Sequence, residues 1–141
     1  MISIIVPFYN EKENLPTLIK HLIEVSDNLE EDYEIVLVDD GSNDAGASQL
    51  KVKSEQLKII KHNKRLGKGQ ALKTGIENSS GEIIVFMDAD LQDDPEDLPK
   101  FLEKIDEGYD FVNGIRVGRQ DGFLVKLYSN LAAKFLKLFL R

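Results

Sequence analysis

The sequence has no cysteine and only two histidines, and these absences remove whole classes of chemistry. Without cysteine there is neither a disulfide framework nor a thiolate zinc site. His21 falls within a helical pattern and His62 follows a strand. Neither has a second histidine at ligand spacing, so both read as structural or solvated side chains rather than catalytic ones. Apolar runs are short, and none reaches the roughly 18 uninterrupted residues that a membrane span requires. The opening Met1-Ile2-Ser3-Ile4-Ile5-Val6-Pro7 lacks the basic segment and long apolar core of a signal peptide and reads instead as a first strand.

At 141 residues, 42% hydrophobic and 30% charged, the chain suits one globular domain with a real core. Its net charge of −7 is unevenly placed. Residues 115–141 hold six Lys or Arg against one Asp, and the remainder holds twelve against twenty-four Asp or Glu. An acidic body argues against general nucleic-acid binding, while the basic tail suggests a local anion-binding or membrane-facing end.

Short apolar runs alternate with amphipathic stretches, the pattern of an α/β sheet covered by helices. Ile2–Pro7, Glu34–Val38, Leu57–Lys61 and Glu82–Met87 read as strands, with a last short one at Asp110–Asn113. Leu15, Leu18, Ile19, Leu22 and Ile23 repeat at helical spacing, with Asn14 as cap and Pro16 in the first turn. A second helix starts near Gly67 and carries Ala71, Leu72 and Ile76 inward, and Pro95 opens a third with Leu98, Phe101, Leu102 and Ile105 on one face. There is no internal repeat and no low-complexity linker.

Three strands end in polar clusters, at Pro7–Glu11, Asp39–Asp44 and Asp88–Asp94. Ligands of open α/β sheets bind outside the carboxyl ends of the strands, so these acids are expected to converge on one crevice. Asp88-Ala89-Asp90 follows a buried strand, and two carboxylates separated by one small residue suit a hard divalent cation with positions left for phosphate oxygens. Such a cation neutralises a diphosphate leaving group. Gly67-Lys68-Gly69 is not a P-loop, because the spacing and the following Ser or Thr are absent.

In order along the chain stand Val6-Pro7-Phe8-Tyr9-Asn10-Glu11, Val38-Asp39-Asp40-Gly41-Ser42, Gly67-Lys68-Gly69-Gln70-Ala71-Leu72 and Asp88-Ala89-Asp90-Leu91-Gln92-Asp93-Asp94-Pro95. This set resembles the GT-A glycosyltransferases of family 2, most closely the dolichol- and undecaprenyl-phosphate sugar transferases, over nearly the whole chain. The resemblance implies a three-layer α/β/α, Rossmann-like nucleotide-diphospho-sugar transferase fold with a mainly parallel sheet. It implies that Pro7, Tyr9 and Glu11 line the nucleoside pocket, and that Asp40 accepts a hydrogen bond from the base with Val38 beside it. Lys68 would lie near the base or ribose. Asp88 and Asp90 would carry the catalytic metal, Mn²⁺ or Mg²⁺, together with Gln92, with Ala89 against the nucleotide. Asn113-Gly114-Ile115-Arg116 also matches, and Arg116 would clamp phosphate in a guanidinium fork. Arg119 and Lys126 are candidates for the same task. The family often has a second arginine shortly before a serine. Here Lys126 supplies the only charge close before Ser129.

Residues 1–118 are therefore expected to form the nucleotide-sugar-binding domain, and 119–141 an amphipathic basic helix that begins an acceptor or membrane-proximal region. At about 100° per residue, Lys126, Asn130, Lys134, Lys137 and Arg141 fall within roughly 80° of one another. This cationic stripe suits a membrane surface, and equally a helix packed on further protein with its lysines solvated. Members of the family continue past this helix, so the chain is expected to be C-terminally truncated. No candidate general base follows Asp121. A phosphate-monoester acceptor, carrying about −1.5 to −2 charge, needs one less.

The expected activity is inverting transfer of a sugar from a UDP- or GDP-sugar to a polyprenyl phosphate, at the cytoplasmic face of a membrane and without nucleic acid. A polysaccharide hydroxyl is the alternative acceptor. A nucleotidyltransferase would place a glycine-rich basic loop after the first strand, where Phe8-Tyr9-Asn10-Glu11-Lys12-Glu13 has no glycine. A phosphoacceptor receiver domain would carry its acidic pair after the first strand rather than the second. A fragment that binds donor without turnover also fits the sequence.

Overall fold

The computed structural model describes residues 1–46, 50 and 54–115. Arg116, Arg119, Lys126 and the expected helix over 119–141 lie outside the described residues. Four strands, β1 (Ile2–Phe8), β2 (Tyr33–Asp39), β3 (Leu57–Lys61) and β4 (Ile83–Phe86), form a sheet in the order β3-β2-β1-β4. Every pair is parallel, with Ile4 opposite Ile35 on one side and Val85 on the other. Parallel strands covered on both faces read as continuous apolar runs, and β1 is buried along its whole length.

The two faces of β1 feed two cores. Ile2, Ile4, Val6 and Phe8 pack with Leu15, Leu18, Ile19 and Leu22 of α1 (Leu15–Ser26) and with Leu98 and Leu102 of α3 (Leu98–Asp106). Ile5 turns the other way and meets Val36, Val38 and Ala71, the last from α2 (Lys68–Glu77). The result is the expected three layers with an entirely parallel described sheet. A 3₁₀ turn, Pro95–Asp97, leads into α3, and the side chain of Asp94 accepts from the Glu96 amide to cap it.

Several sequence expectations are corrected. Asn14 occupies the cap position of α1 but caps nothing with its side chain, which donates instead to the Glu11 carboxylate at 2.7 Å. Ile76 does not point inward and is 47% exposed, because Ala71 and Gly75 form the buried face of α2 and Ile76 lies about 100° round from Gly75. Residues 110–113 form no strand. A strand exists through its ladder, this stretch pairs with nothing in the described sheet, and Phe111 is 80% exposed.

At the amino ends of the strands, Glu34 holds three segments together. Its Oε1 accepts from Ser3 Oγ at 2.6 Å and from the Ser80 amide, and Ser3 Oγ in turn accepts from the Gly81 amide at 2.8 Å. Burial pushes the Glu34 carboxyl up, but these bonds and nearby Lys58 outweigh it and hold it below its ordinary 4.5. A depressed carboxylate contributes stability above its unfolded value and loses it as pH falls through the folded one. Glu34→Ala is therefore expected to cost about 1–3 kcal/mol at pH 7. The gap from the unsubstituted chain should narrow as pH falls below 4.5, as read from urea unfolding at pH 7 and at successively lower pH.

Candidate functional site

The strand order sets the place of the site. The chain steps from β1 to β2 to β3 in one direction, then crosses to the other side of β1 for β4. Loops leaving β1 and β4 therefore diverge, and such a switch point opens a crevice at the carboxyl edge. The β1–β4 ladder ends at the pair Ile5 and Phe86, with Met87 N–H donating to the Ile5 carbonyl. Residue 7 faces the same side as residue 5, so Pro7 lacks its N–H where β4 has already turned away and no ladder bond is lost.

The crevice, of about 230 Å³, is lined by Pro7, Phe8, Tyr9 and Glu11 after β1, Asp40 after β2, Arg65, Lys68 and Ala71 around the start of α2, and Asp88, Ala89 and Asp90 after β4. The loops behind it are held in uncommon conformations. Among the described residues three non-glycines have positive φ, Asn10 (57°), Ala45 (59°) and Leu91 (61°), one in each loop following β1, β2 and β4. Strain of this kind persists only where surrounding bonds fix it. Asn10 is fixed at both ends, its N–H donating to Ser42 Oγ at 2.9 Å and its Oδ1 accepting from the Asn43 amide at 3.0 Å. The neighbouring Asp44 accepts from the Lys12 and Gly46 amides, each at 2.9 Å. Burial raises the Asp44 carboxyl and these amides outweigh it, leaving it below its ordinary range.

Two adjacent aspartates end β2 and serve different ends. Asp39 closes its own turn, accepting from the Ser42 amide at 2.7 Å, with Lys61 Nζ 3.4 Å from its other oxygen. Asp40 is buried and reaches the opposite way. Its Oδ1 accepts from His62 Nδ1 at 2.9 Å and from the Leu66 amide at 2.8 Å, and its Oδ2 from the Gly67 amide at 2.8 Å. Burial raises this carboxyl too, but the His62 bond and the two amides hold it below its ordinary range, so it stays ionised near neutral pH. The loop lies close enough for this because residue 41 is glycine. At φ 76° a Cβ there would stand 2.5 Å from the Lys64 carbonyl carbon.

Asp88 and Asp90 leave β4 on either side of Ala89, whose methyl is buried in the α1-side core. The Asp88 amide donates to Asp93 Oδ2 at 3.0 Å, and Asp90 Oδ1 accepts from the Gln92 amide at 3.1 Å across Leu91. Lys68 Nζ is paired with Asp88 Oδ1. Among the described residues no group of three or more His, Asp or Glu is arranged to hold a metal. Two carboxylates nevertheless fit an Mg²⁺ or Mn²⁺ ion that takes its remaining oxygens from a phosphate ligand and water, which is how such ions are usually held. The residues present therefore suit a cation arriving with a diphosphate and not a protein-only cage.

Of the residues named from the sequence, the crevice brings together Pro7, Tyr9, Glu11, Asp40, Lys68, Asp88, Ala89 and Asp90. It does not include Val38, which is fully buried against Ile5 and Ala71, nor Gln92, which is exposed. Sequence reasoning missed Arg65 and the part played by His62. The Arg65 guanidinium carbon sits 4.2 Å from the centre of the Tyr9 ring, a cation–π contact that fixes a positive group at the crevice wall. Lys64 precedes Arg65 in the same loop, so the sequence carried no signal to choose between them.

Comparison with known proteins follows the same lines. The profile of the family described as Glycosyl transferase family 2 matches residues 3–139. The undecaprenyl-phosphate 4-deoxy-4-formamido-L-arabinose transferase of Enterobacter sp. (strain 638) is 39% identical over 140 residues, 96% of this chain and 43% of that protein. Among solved structures, S. aureus TarS 1–349 in complex with UDP matches with a TM-score of 0.64 and 27% identity, over 75% of this chain and 32% of that one. The mannosyltransferase PcManGT from Pyrobaculum calidifontis, in complex with GDP-Man and Mn²⁺, matches with a TM-score of 0.60 and 28% identity, over 72% and 31%. The chain thus spans less than half the length of each of these proteins.

Proposed function

Because the chain belongs to glycosyl transferase family 2, we propose that its crevice binds the nucleoside diphosphate of a UDP- or GDP-sugar, within an inverting enzyme that delivers the sugar to a polyprenyl phosphate. The observation that carries this reading is the meeting, at the β1/β4 switch point, of Tyr9 and Glu11, Asp40, and the Asp88–Asp90 pair. An aromatic ring and an ionised buried carboxylate suit a base that offers N–H donors. Two further carboxylates in the same crevice suit the cation that accompanies a diphosphate.

Each group has a distinct task in this reading. Asp40 accepts from the base, and Tyr9 with Arg65 supplies a flat, cationic wall beside it. Asp88 and Asp90 hold a divalent cation, which when bound offsets the negative charge of the departing diphosphate. Lys68, paired with Asp88 in this structure, is placed to exchange that partner for a phosphate oxygen when donor and cation enter. Gly69 leaves room for the approach, since a Cβ there would meet nothing within 4 Å.

The acceptor rests on other support. The Enterobacter relative is named for undecaprenyl phosphate, and the basic stretch from Arg116 onward suits a lipid phosphate at the cytoplasmic face of a membrane, with Arg116, Arg119 and Lys126 as its contacts. No helix among the described residues is long and apolar enough to cross a membrane.

Calorimetric titration of UDP, GDP and their common sugar conjugates, with and without Mn²⁺, tests the donor site. Metal-dependent binding of one nucleotide is the expected result and names the base. A folded chain that binds none of them would overturn the donor-site assignment.

A further inference from the structure

His62 is a largely buried imidazole with both ring nitrogens engaged, and the donor site as described gives it no task. Its backbone N–H donates to the Asp39 carbonyl at 2.8 Å, extending the line of β3. Its side chain, 9% exposed, then turns between the end of β2 and α2. Nδ1 lies 2.9 Å from Asp40 Oδ1, and Nε2 lies 3.0 Å from Thr74 Oγ1. An ionised carboxylate only accepts, so Nδ1 carries the hydrogen in this pair. With a partner at each end the ring cannot flip without losing both bonds.

The consequence lies in the acceptor count of Asp40. A carboxylate offers about four lone-pair directions, and three are taken, by His62, Leu66 N–H and Gly67 N–H. We propose that His62 is a positioning residue for nucleobase recognition: clamped between Thr74 and Asp40, it fixes the plane of the Asp40 carboxylate so that the one acceptor direction left, on Oδ2, meets an N–H of the base. The inference rests on the donor-site reading above and goes beyond it, because His62 itself does not line the crevice.

A merely structural histidine would affect every ligand of the crevice alike, whereas a positioning one affects the base alone. The test compares UDP, GDP and inorganic pyrophosphate, each with Mn²⁺, by calorimetry on the 141-residue chain. His62→Leu is expected to lower affinity for the nucleotide that the unsubstituted chain prefers by about tenfold, the effect of one lost hydrogen bond to a charged group. Pyrophosphate affinity should stay unchanged. His62→Asn places an amide N–H near the position of Nδ1 and is expected to restore most of the loss.

Thr74→Val keeps the side-chain shape and removes only the hydroxyl at the far end of the clamp. It is expected to show a smaller loss with the same selectivity for nucleotide over pyrophosphate, and it serves where the leucine variant does not fold. Equal losses for nucleotide and pyrophosphate in these variants, or no loss in either, would overturn the positioning role. Failure of the unsubstituted chain to bind any nucleotide would overturn the donor site first, so the two failures are told apart by the first titration.

Discussion

Asp90→Asn is expected to abolish the Mn²⁺-dependent part of nucleotide binding, weakening affinity in the presence of Mn²⁺ by about a hundredfold or more, while leaving the fold intact. The size follows from the donor set. The proposed reading gives the cation two carboxylates, Asp88 and Asp90, and removing one charge from such a hard-cation site is expected to exceed the roughly 10–100-fold typical of changes one shell further out. The fold should survive because the asparagine Oδ1 can still accept from the Gln92 amide, the bond that now spans Leu91 and its positive φ. Lys68 would remain paired with Asp88, so the variant should behave with Mn²⁺ as the unsubstituted chain does with chelator. Calorimetry in Mn²⁺ and in EDTA reads both halves, and Mn²⁺-dependent affinity that is unchanged in the variant would sink the metal assignment.

Gly75→Ala is the substitution expected to harm the fold most for its size. A Cβ at residue 75 would stand 2.3 Å from Ile5 Cγ2, a branch of a fully buried side chain on the central strand. That methyl belongs to a stiff β-branched residue, so α2 itself must move. An alanine in a helix gains about 1 kcal/mol over glycine, but overpacking of a tight core costs about 1–3 kcal/mol and occasionally more. The contact here is severe enough that a net loss of about 1–2 kcal/mol is expected in urea unfolding. α2 fully buries only Ala71 and Gly75, where α1 buries six residues, so its seat on the sheet is concentrated at this contact. The shift should therefore reach Lys68 and Ala71 at the crevice wall and weaken nucleotide binding as well. In an Ile5→Ala background the cost of Gly75→Ala should shrink, since the obstructing methyl is gone. Simple additivity of the two changes would show that the contact is not the cause.

The placement of the site could be read from the sequence because it depends on strand ends. A run such as Ile83-Ile84-Val85-Phe86 stopping at Asp88 is visible without any partner being known, and the same holds for β1 and β2. Facing was harder. β2 is buried on both sides from Ile35 to Asp39, so its residues show no alternation, and nothing marked Val38 as lying outside the crevice lining. The bonds that organise Asp40 span 22 to 27 residues to a loop with no periodicity. A lone histidine after a strand therefore reads as structural or solvated, and the sequence carries no sign of its contact with Asp40. Residues 110–113 carried the composition of a strand without the neighbour that would make them one. Ile76 reads as a core residue from sequence because the inward position beside it is held by a glycine, which carries no hydrophobic signal.

The common direction of the four strands also has a use at the bench. All of the crevice residues gather at one edge of the sheet, and the opposite edge is held by Glu34, Ser3 and the residue 80–81 turn. Because the chain has no cysteine, a thiol introduced at exposed Glu31, two residues before β2 begins, would be its single reactive handle. It would sit about 20 Å from the crevice, the length of a seven-residue strand. A fluorophore or surface tether attached there would leave the crevice turned toward solution, so that nucleotide entry could be followed on immobilised protein without chemistry near the ligand.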